Sequence, residues 1–240
     1  NLREITLTTN GTLLKKYAKE LKFNGVDRIN VSLDTINPEK YNKITRFGNI
    51  EKVFDGINEA IEAKIKVKIN TVVIKDFNEN EIENLINWTN HKNIDLTFIE
   101  VMPMEETDIS REYQFISLSE TFEKLNNIYN FKISKHNTGG PATYYTSHLL
   151  SNKIGFISPL TNNFCASCNR VRISSTGKLF MCLGQNDYVD FKEIMRKDFS
   201  DDYIKEKIRF ALNIKPKKHD FMIGSTINKY MKRHMNVTGG

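Results

Sequence analysis

From Leu2 to Val101 short β-branched runs alternate with amphipathic runs, and this alternation constrains the fold more than any other feature of the chain. Strand candidates are Glu4–Thr8, Arg28–Leu33, Val67–Ile74 and Leu96–Val101. Between them Leu13–Phe23, Val53–Ala63 and Glu79–Trp88 carry apolar residues at helical spacing, and Asn78-Glu79-Asn80 supplies a cap and first turn for the last. Strand then helix, repeated at about thirty residues per unit, is how parallel βα structure is built, with helices packed outside the sheet. The expected class is α/β, as part of a βα barrel or an open parallel sheet. In a barrel, chemistry gathers at the C-terminal strand ends, which puts Thr8, Ser32 and Met102 where a ligand would be met.

After Met102 the rhythm stops. Pro103 to Arg111 is polar and loop-like, and Ser117–Asn127 reads as one more helix capped by Ser117 or Ser119. Gly139-Gly140-Pro141 marks a turn and Lys153–Ser158 a strand. Arg170–Ser174 and Lys178–Cys182 form a hairpin around Ser175-Thr176-Gly177, and Tyr203–Leu212 is helical. The change of texture divides the chain near residue 104, into a βα part (1–103) and an α+β part (104–240). With 240 residues and 39% apolar content the chain can bury a core, which argues against disorder. No apolar run approaches the roughly 18 residues of a membrane span, so no membrane partner is expected and the expected location is the cytoplasm. A net charge of +6 allows an anionic partner, but lysines are spread along the whole chain and the charge alone decides little.

All three cysteines, Cys165, Cys168 and Cys182, fall within 18 residues. An odd number so closely spaced is a poor disulfide framework and a good metal or cluster site in a reducing compartment. Counted from a turn near Thr176, Cys182 returns opposite Arg170 and close to the Cys165/Cys168 loop. Three thiolates suit a 4Fe-4S cluster with one open iron. A zinc site wants four ligands, and spacing alone leaves open that His136, His148, His219 or His234 completes one.

Cys165-x-x-Cys168-Asn169-Arg170-Val171-Arg172, then Ser174-Ser175-Thr176-Gly177-Lys178 and Cys182, resembles the auxiliary-cluster region of the GTP 3′,8-cyclase family of radical S-adenosylmethionine (SAM) enzymes. Leu7-Thr8-Thr9-Asn10-Gly11, Arg28-Ile-Asn-Val-Ser32-Leu33-Asp34, Lys66-Val67-Lys68-Ile69-Asn70, Phe98-Ile99-Glu100-Val101-Met102 and the Gly239-Gly240 end match it in order along the whole chain. The resemblance implies a partial radical SAM βα barrel followed by an auxiliary-cluster region. It implies the first step of molybdenum cofactor biosynthesis: a 5′-deoxyadenosyl radical removes the 3′ hydrogen of GTP, and the ribose radical attacks C8 of guanine. The product is 3′,8-cyclo-7,8-dihydroguanosine triphosphate, handed to a downstream cyclic pyranopterin monophosphate synthase. Cys165, Cys168 and Cys182 would hold the auxiliary 4Fe-4S cluster, whose open iron receives guanine. Arg170 and Arg172, alternating on one hairpin face, would bind phosphate oxygens through bidentate hydrogen bonds and contribute to catalysis. Lys68 and Thr8 match further GTP contacts, Ser32 and Met102 match SAM contacts, and Gly239 and Gly240 would reach into the active site.

The family's N-terminal C-x-x-x-C-x-x-C motif, which binds the SAM cluster, and its Gly-Gly-Glu-Pro type motif are not in this sequence. The second 4Fe-4S cluster is therefore expected only in an upstream segment, along with the first barrel strands, and the 240-residue chain is expected to fold poorly without those strands. Two other functions compete: another radical SAM enzyme with an auxiliary cluster, and a zinc-stabilised basic module that binds RNA. Phe180 is the only aromatic residue between Arg170 and Cys182, so no base-stacking platform is evident, and no nucleic acid partner is expected. A homodimer is left open. The expected outcome for this chain alone, incubated anaerobically with GTP, SAM and reductant, is no cyclised nucleotide by chromatography; turnover would show that the missing motif is dispensable.

Overall fold

The computed structural model describes residues 2–102, 114–197 and 200–219. They fall into two compact units, Asn1–Val101 with Gln114–Thr161, and Met102–Tyr113 with Asn162–Gly240.

The first unit is built on a seven-stranded sheet. Its strands are β1 (Thr6–Thr9), β2 (Arg28–Ser32), β3 (Lys66–Val73), β4 (Asp95–Glu100), β5 (Lys132–Ile133), β6 (Thr143–Thr146) and β7 (Ile154–Ile157). Their order is β1-β2-β3-β4-β7-β6-β5. The first five neighbours in that order are parallel, and β6 and β5 add antiparallel strands at one edge. The helices are α1 (Leu14–Phe23), α2 (Pro38–Thr45), α3 (Ile50–Glu62), α4 (Ile82–His91) and α5 (Leu118–Tyr129). Period-two alternation gives the sheet two different faces. Ile29, Val31, Ile69, Leu96, Phe98 and Ile154 are fully buried in one apolar core with Val53 and Ile57 of α3 and Leu85 and Ile86 of α4. The intervening residues, among them Arg28, Asn30, Ser32, Lys68, Asn70 and Thr97, give the other face its polar character.

The expected strands and helices are all present in this unit, with small differences at their ends. Helix α2 was not read from the periodicity, although its start is clear in local chemistry. The Asn37 side chain accepts from the Glu39 and Lys40 N–H groups, and Pro38 occupies the first turn. The expected helix at Glu79–Trp88 opens instead as a 3-10 turn at Glu79–Glu81 before α4. Asn78 does not cap it. Its buried side chain accepts from Ile74 N–H at 2.7 Å and donates to the carbonyls of Asp34 and Val72 at 2.6 and 2.8 Å, tying the end of β3 to the loop after β2.

The division near residue 104 marks where the βα rhythm ends, and the packing draws its boundary elsewhere. Residues 114–161 join the first unit because Leu118 and Leu125 of α5 are buried in its core, with Phe122, Phe131 and Tyr145 packed around Phe156. Glu100 reinforces that connection. Its buried carboxylate accepts from the Leu118 N–H at the start of α5, from Leu160 and Thr161 N–H, and from the Thr161 hydroxyl.

The second unit has a three-stranded antiparallel sheet, ordered β10-β9-β8, of β8 (Arg172–Ile173), β9 (Lys178–Phe180) and β10 (Tyr188–Asp190). The expected hairpin is there with shorter strands. At its turn Gly177 has φ +81°, and a Cβ at that position would lie 3.1 Å from the Lys192 backbone nitrogen, so both conformation and space require glycine. Its described residues also form helices α6 (Phe191–Arg196) and α7 (Asp201–Asn213), and a core cluster joins Leu179, Met181, Phe191 and Ala211. Among the described residues no helix is long and apolar enough to cross a membrane.

Asn78→Ala leaves the Ile74 N–H and two carbonyls without their partner inside the first unit. The expected result is a loss of about 2–3 kcal/mol of unfolding free energy in urea denaturation. An unchanged midpoint would show that Asn78 is not a structural tie.

Candidate functional site

Cys165 opens a 3-10 turn at Cys165–Ser167, after Phe164. Asn163 fixes the entry, its side-chain oxygen accepting the Cys165 N–H at 2.7 Å, and the Cys168 N–H closes the turn on the Cys165 carbonyl at 3.1 Å. Both thiols are half-buried. The third arrives through the hairpin: Arg172 pairs with Phe180 and Ile173 with Leu179. Extended beyond the strand ends, that register sets Cys182 opposite Arg170, the position expected from the turn. Cys182 lies close enough to Cys165 and Cys168 for their charges to act on it.

Two cations stand beside Cys168. The Arg170 backbone N–H and guanidinium both hydrogen-bond to Cys168, and the guanidinium lies 5.4 Å from the centre of the Phe164 ring. Lys215 Nζ stands 3.8 Å from Cys168 Sγ. Burial pushes the Cys168 thiol up, but the two Arg170 hydrogen bonds, with the charges of Arg170 and Lys215, outweigh it and hold that thiol below its ordinary value. Burial dominates at Cys182 and pushes its thiol up; Gly184 N–H and Lys215 oppose this, while Cys165 and Cys168 add to it. Among the described residues no three histidine, cysteine or carboxylate side chains converge as tightly as a single metal ion requires. Three half-buried sulfurs beside an arginine and a lysine have the chemistry of a thiolate-ligated cluster, in which the donors stand apart across several irons.

The other expected residues of the first unit lie on the polar face of its sheet. The register aligns Thr8, Asn30, Lys68 and Asp95 in one row, with Ser32 and Asn70 in the next pair toward the C-terminal end. Lys68 is therefore near the N-terminal end of β3, level with the first residue of β4. It is 7% exposed, whereas Lys64, Lys66 and Lys75 are exposed, so it is not one charge among several on a solvated strand. Its Nζ donates to the Tyr144 hydroxyl at 3.2 Å and lies 5.9 Å from that ring's centre. Thr8 Oγ1 accepts from Asn30 Nδ2 at 3.4 Å, and Arg28 donates to Asn30 Oδ1 at 2.8 Å. Ser32 ends β2, and half-buried Met102 follows β4 by two residues. Gly239, Gly240 and His234 lie outside the described residues.

Several site residues carried no role in the sequence reading. Asn30, Asn70 and Thr97 sit at the alternate polar positions of strands, a period-two signal that was available. Asn70 Oδ1 and Thr97 Oγ1 are buried with no hydrogen-bond partner among the described residues, and Thr97 faces Gly155, where a Cβ would come within 2.9 Å of its Oγ1. Tyr144 and Lys215 gave no local signal, because their partners are distant in sequence.

Residues 1–89 match the Radical SAM superfamily, and residues 94–221 match the Molybdenum Cofactor Synthesis C family. All 240 residues align at 48% identity with the GTP 3′,8-cyclases of Brucella ovis and Sinorhizobium medicae, covering 70% and 69% of those proteins. The chain belongs to the GTP 3′,8-cyclase family. Among solved structures, Streptococcus suis SuiB bound to S-adenosylmethionine shares the fold at 15% identity and a TM-score of 0.54, over 82% of this chain and 48% of that one. These relatives agree with the α/β class expected for the partial radical SAM barrel.

In the reduced, metal-free protein, the lowered Cys168 and raised Cys182 predict different alkylation profiles. Below about pH 8.5, the ordinary thiol range, iodoacetamide is expected to label Cys168 before Cys182 by mass spectrometry, the gap closing as pH rises. Arg170→Met should move the Cys168 profile to higher pH; equal profiles in wild type would contradict the electrostatic reading.

Proposed function

We propose that this chain supplies the auxiliary-cluster and GTP-binding parts of a GTP 3′,8-cyclase, the radical SAM enzyme that forms 3′,8-cyclo-7,8-dihydroguanosine triphosphate. The observation that supports this reading is that three half-buried cysteines, Cys165, Cys168 and Cys182, lie in one unit with Arg170 and Lys215 beside Cys168. These three cysteines would hold the auxiliary 4Fe-4S cluster. When bound, such a cluster offers an open iron to a guanine atom and so fixes the base.

The protein's own groups account for the rest of nucleotide recognition. Arg170 and Arg172 present guanidinium groups suited to bidentate contact with phosphate oxygens. Lys68 is a buried basic side chain that donates to the Tyr144 hydroxyl, and a cation at this position would attract an anionic group. It is assigned with Thr8 to GTP. Ser32 and Met102 are assigned to SAM, following their positions in matched motifs at or beyond strand ends. Gly239 and Gly240 are assigned to the active site by their match to the family's Gly-Gly terminus alone. The cyclised triphosphate would pass to a cyclic pyranopterin monophosphate synthase in the cytoplasm, with a homodimer as an open state of assembly.

Anaerobic reconstitution with iron and sulfide tests the site. The expected result is about four irons per chain and a cluster spectrum perturbed by GTP, with iron binding lost in Cys182→Ala. Stoichiometric zinc with no response to GTP in a folded sample would replace the cluster with a zinc-stabilised module.

A further inference from the structure

Lys215 is the first residue beyond the turn that ends α7, and its ammonium does not point into solvent. Its Nζ donates to the Arg170 carbonyl at 2.7 Å and to the Met181 carbonyl at 3.0 Å, besides its 3.8 Å contact with Cys168 Sγ. These partners belong to the two arms that carry the cysteines. Arg170 follows Cys168 in one arm, and Met181 immediately precedes Cys182 in the other. The aim of Lys215 follows from packing: Ala211 of α7 is fully buried against Leu179 and Met181, and the Lys215 N–H closes on Leu212 O at 3.3 Å. The core that seats α7 therefore also delivers a cation to the cysteines.

We propose that Lys215 is a positioning residue that clamps the Cys165–Cys168 loop to the segment leading from β9 into Cys182 and places a fixed positive charge beside the Cys168 sulfur. This rests on the cluster assignment above for its redox consequence, while the clamp itself is a property of the protein chain. A three-donor ammonium suits the task, because two carbonyls and a sulfur together use its full donor set. Sulfur-directed donors and nearby charge help to set the potential of an iron-sulfur cluster, and groups that orient ligands affect retention of the metal.

The experiment compares wild type with Lys215→Met, Lys215→Gln and Lys215→Arg, each checked for its melting temperature. In the metal-free protein, a short bis-maleimide probe reads the approach of Cys168 to Cys182 by mass spectrometry. After anaerobic reconstitution, chelator-driven iron loss and the cluster's midpoint potential are measured. Lys215→Met is expected to cross-link more slowly and to lose iron roughly tenfold faster, with a more negative potential. Lys215→Arg should stay near wild type in all three. Lys215→Gln keeps an N–H donor for the backbone carbonyls without the charge, so it should preserve more cross-linking than Lys215→Met while sharing its lower potential. Wild-type values for Lys215→Met in both cross-linking and iron loss would overturn the proposal. If Lys215→Met does not fold, unchanged cross-linking and potential in folded Lys215→Gln overturn it. A wild-type chain that cross-links but takes up no iron would sink the cluster assignment instead, leaving the clamp to be decided by cross-linking.

Discussion

Backbone pairing between the parallel strands β1, β2, β3, β4 and β7 is the constraint on which the first unit depends. Because side chains alternate, a shift of one residue in any strand would exchange the two faces. Ile69 would leave the core and Lys68 would enter it. The register is defended from the apolar side by the contacts of Ile29, Val31, Ile69, Leu96 and Phe98 with α3 and α4. At about 25 cal/mol per Å² of apolar surface buried, these contacts dominate the choice between registers. The polar row of Thr8, Asn30 and Lys68 is held in line as a consequence, whatever its own hydrogen bonds contribute.

The described residues of the second unit bury less apolar surface in their core cluster than those of the first. Among the described residues its core cluster joins Leu179, Met181, Phe191 and Ala211, with Val189 and Ile204 packed against them. Such a core can orient a hairpin and one helix but gives little resistance to local movement of a cysteine loop. Polar contacts supply what the core cannot. Asn163 fixes the loop's entry, the Cys168 N–H closes the turn, and Lys215 joins the loop's exit to the strand leading into Cys182. Each is a modest interaction by itself, yet all act on the same short segment.

The βα rhythm, the four first strands and the cysteine hairpin were legible because each follows from a pattern within a few residues. Period two marks β2 and β3, and Gly177 at φ +81° marks the turn between β8 and β9. Helix α2 was locally encoded as well, by Asn37 and Pro38, but it is short and lacks a long apolar stripe. The compact boundary at Thr161 was not legible from the change of rhythm near residue 104. It depends on aromatic packing of Phe122, Phe131 and Tyr145 against Phe156, a contact set made only in three dimensions. The same holds for Lys215, which reaches Cys168 across 47 positions, and for Tyr144, which reaches Lys68 across 76.

Arg170 connects the two kinds of chemistry assigned to the second unit. Part of its donor set is directed at the Cys168 sulfur, and its plane lies near the Phe164 ring, so the guanidinium is oriented before any nucleotide arrives. A guanidinium has five N–H donors in a rigid fork, and engaging sulfur with one leaves others for phosphate oxygens. A lysine at this position would provide charge but no second fixed edge. The proposed GTP contact and the holding of the cysteine loop are then coupled through one planar group. Loss of Arg170 would disturb the thiol and the nucleotide together, whereas loss of Lys215 would act first on the geometry of the sulfurs.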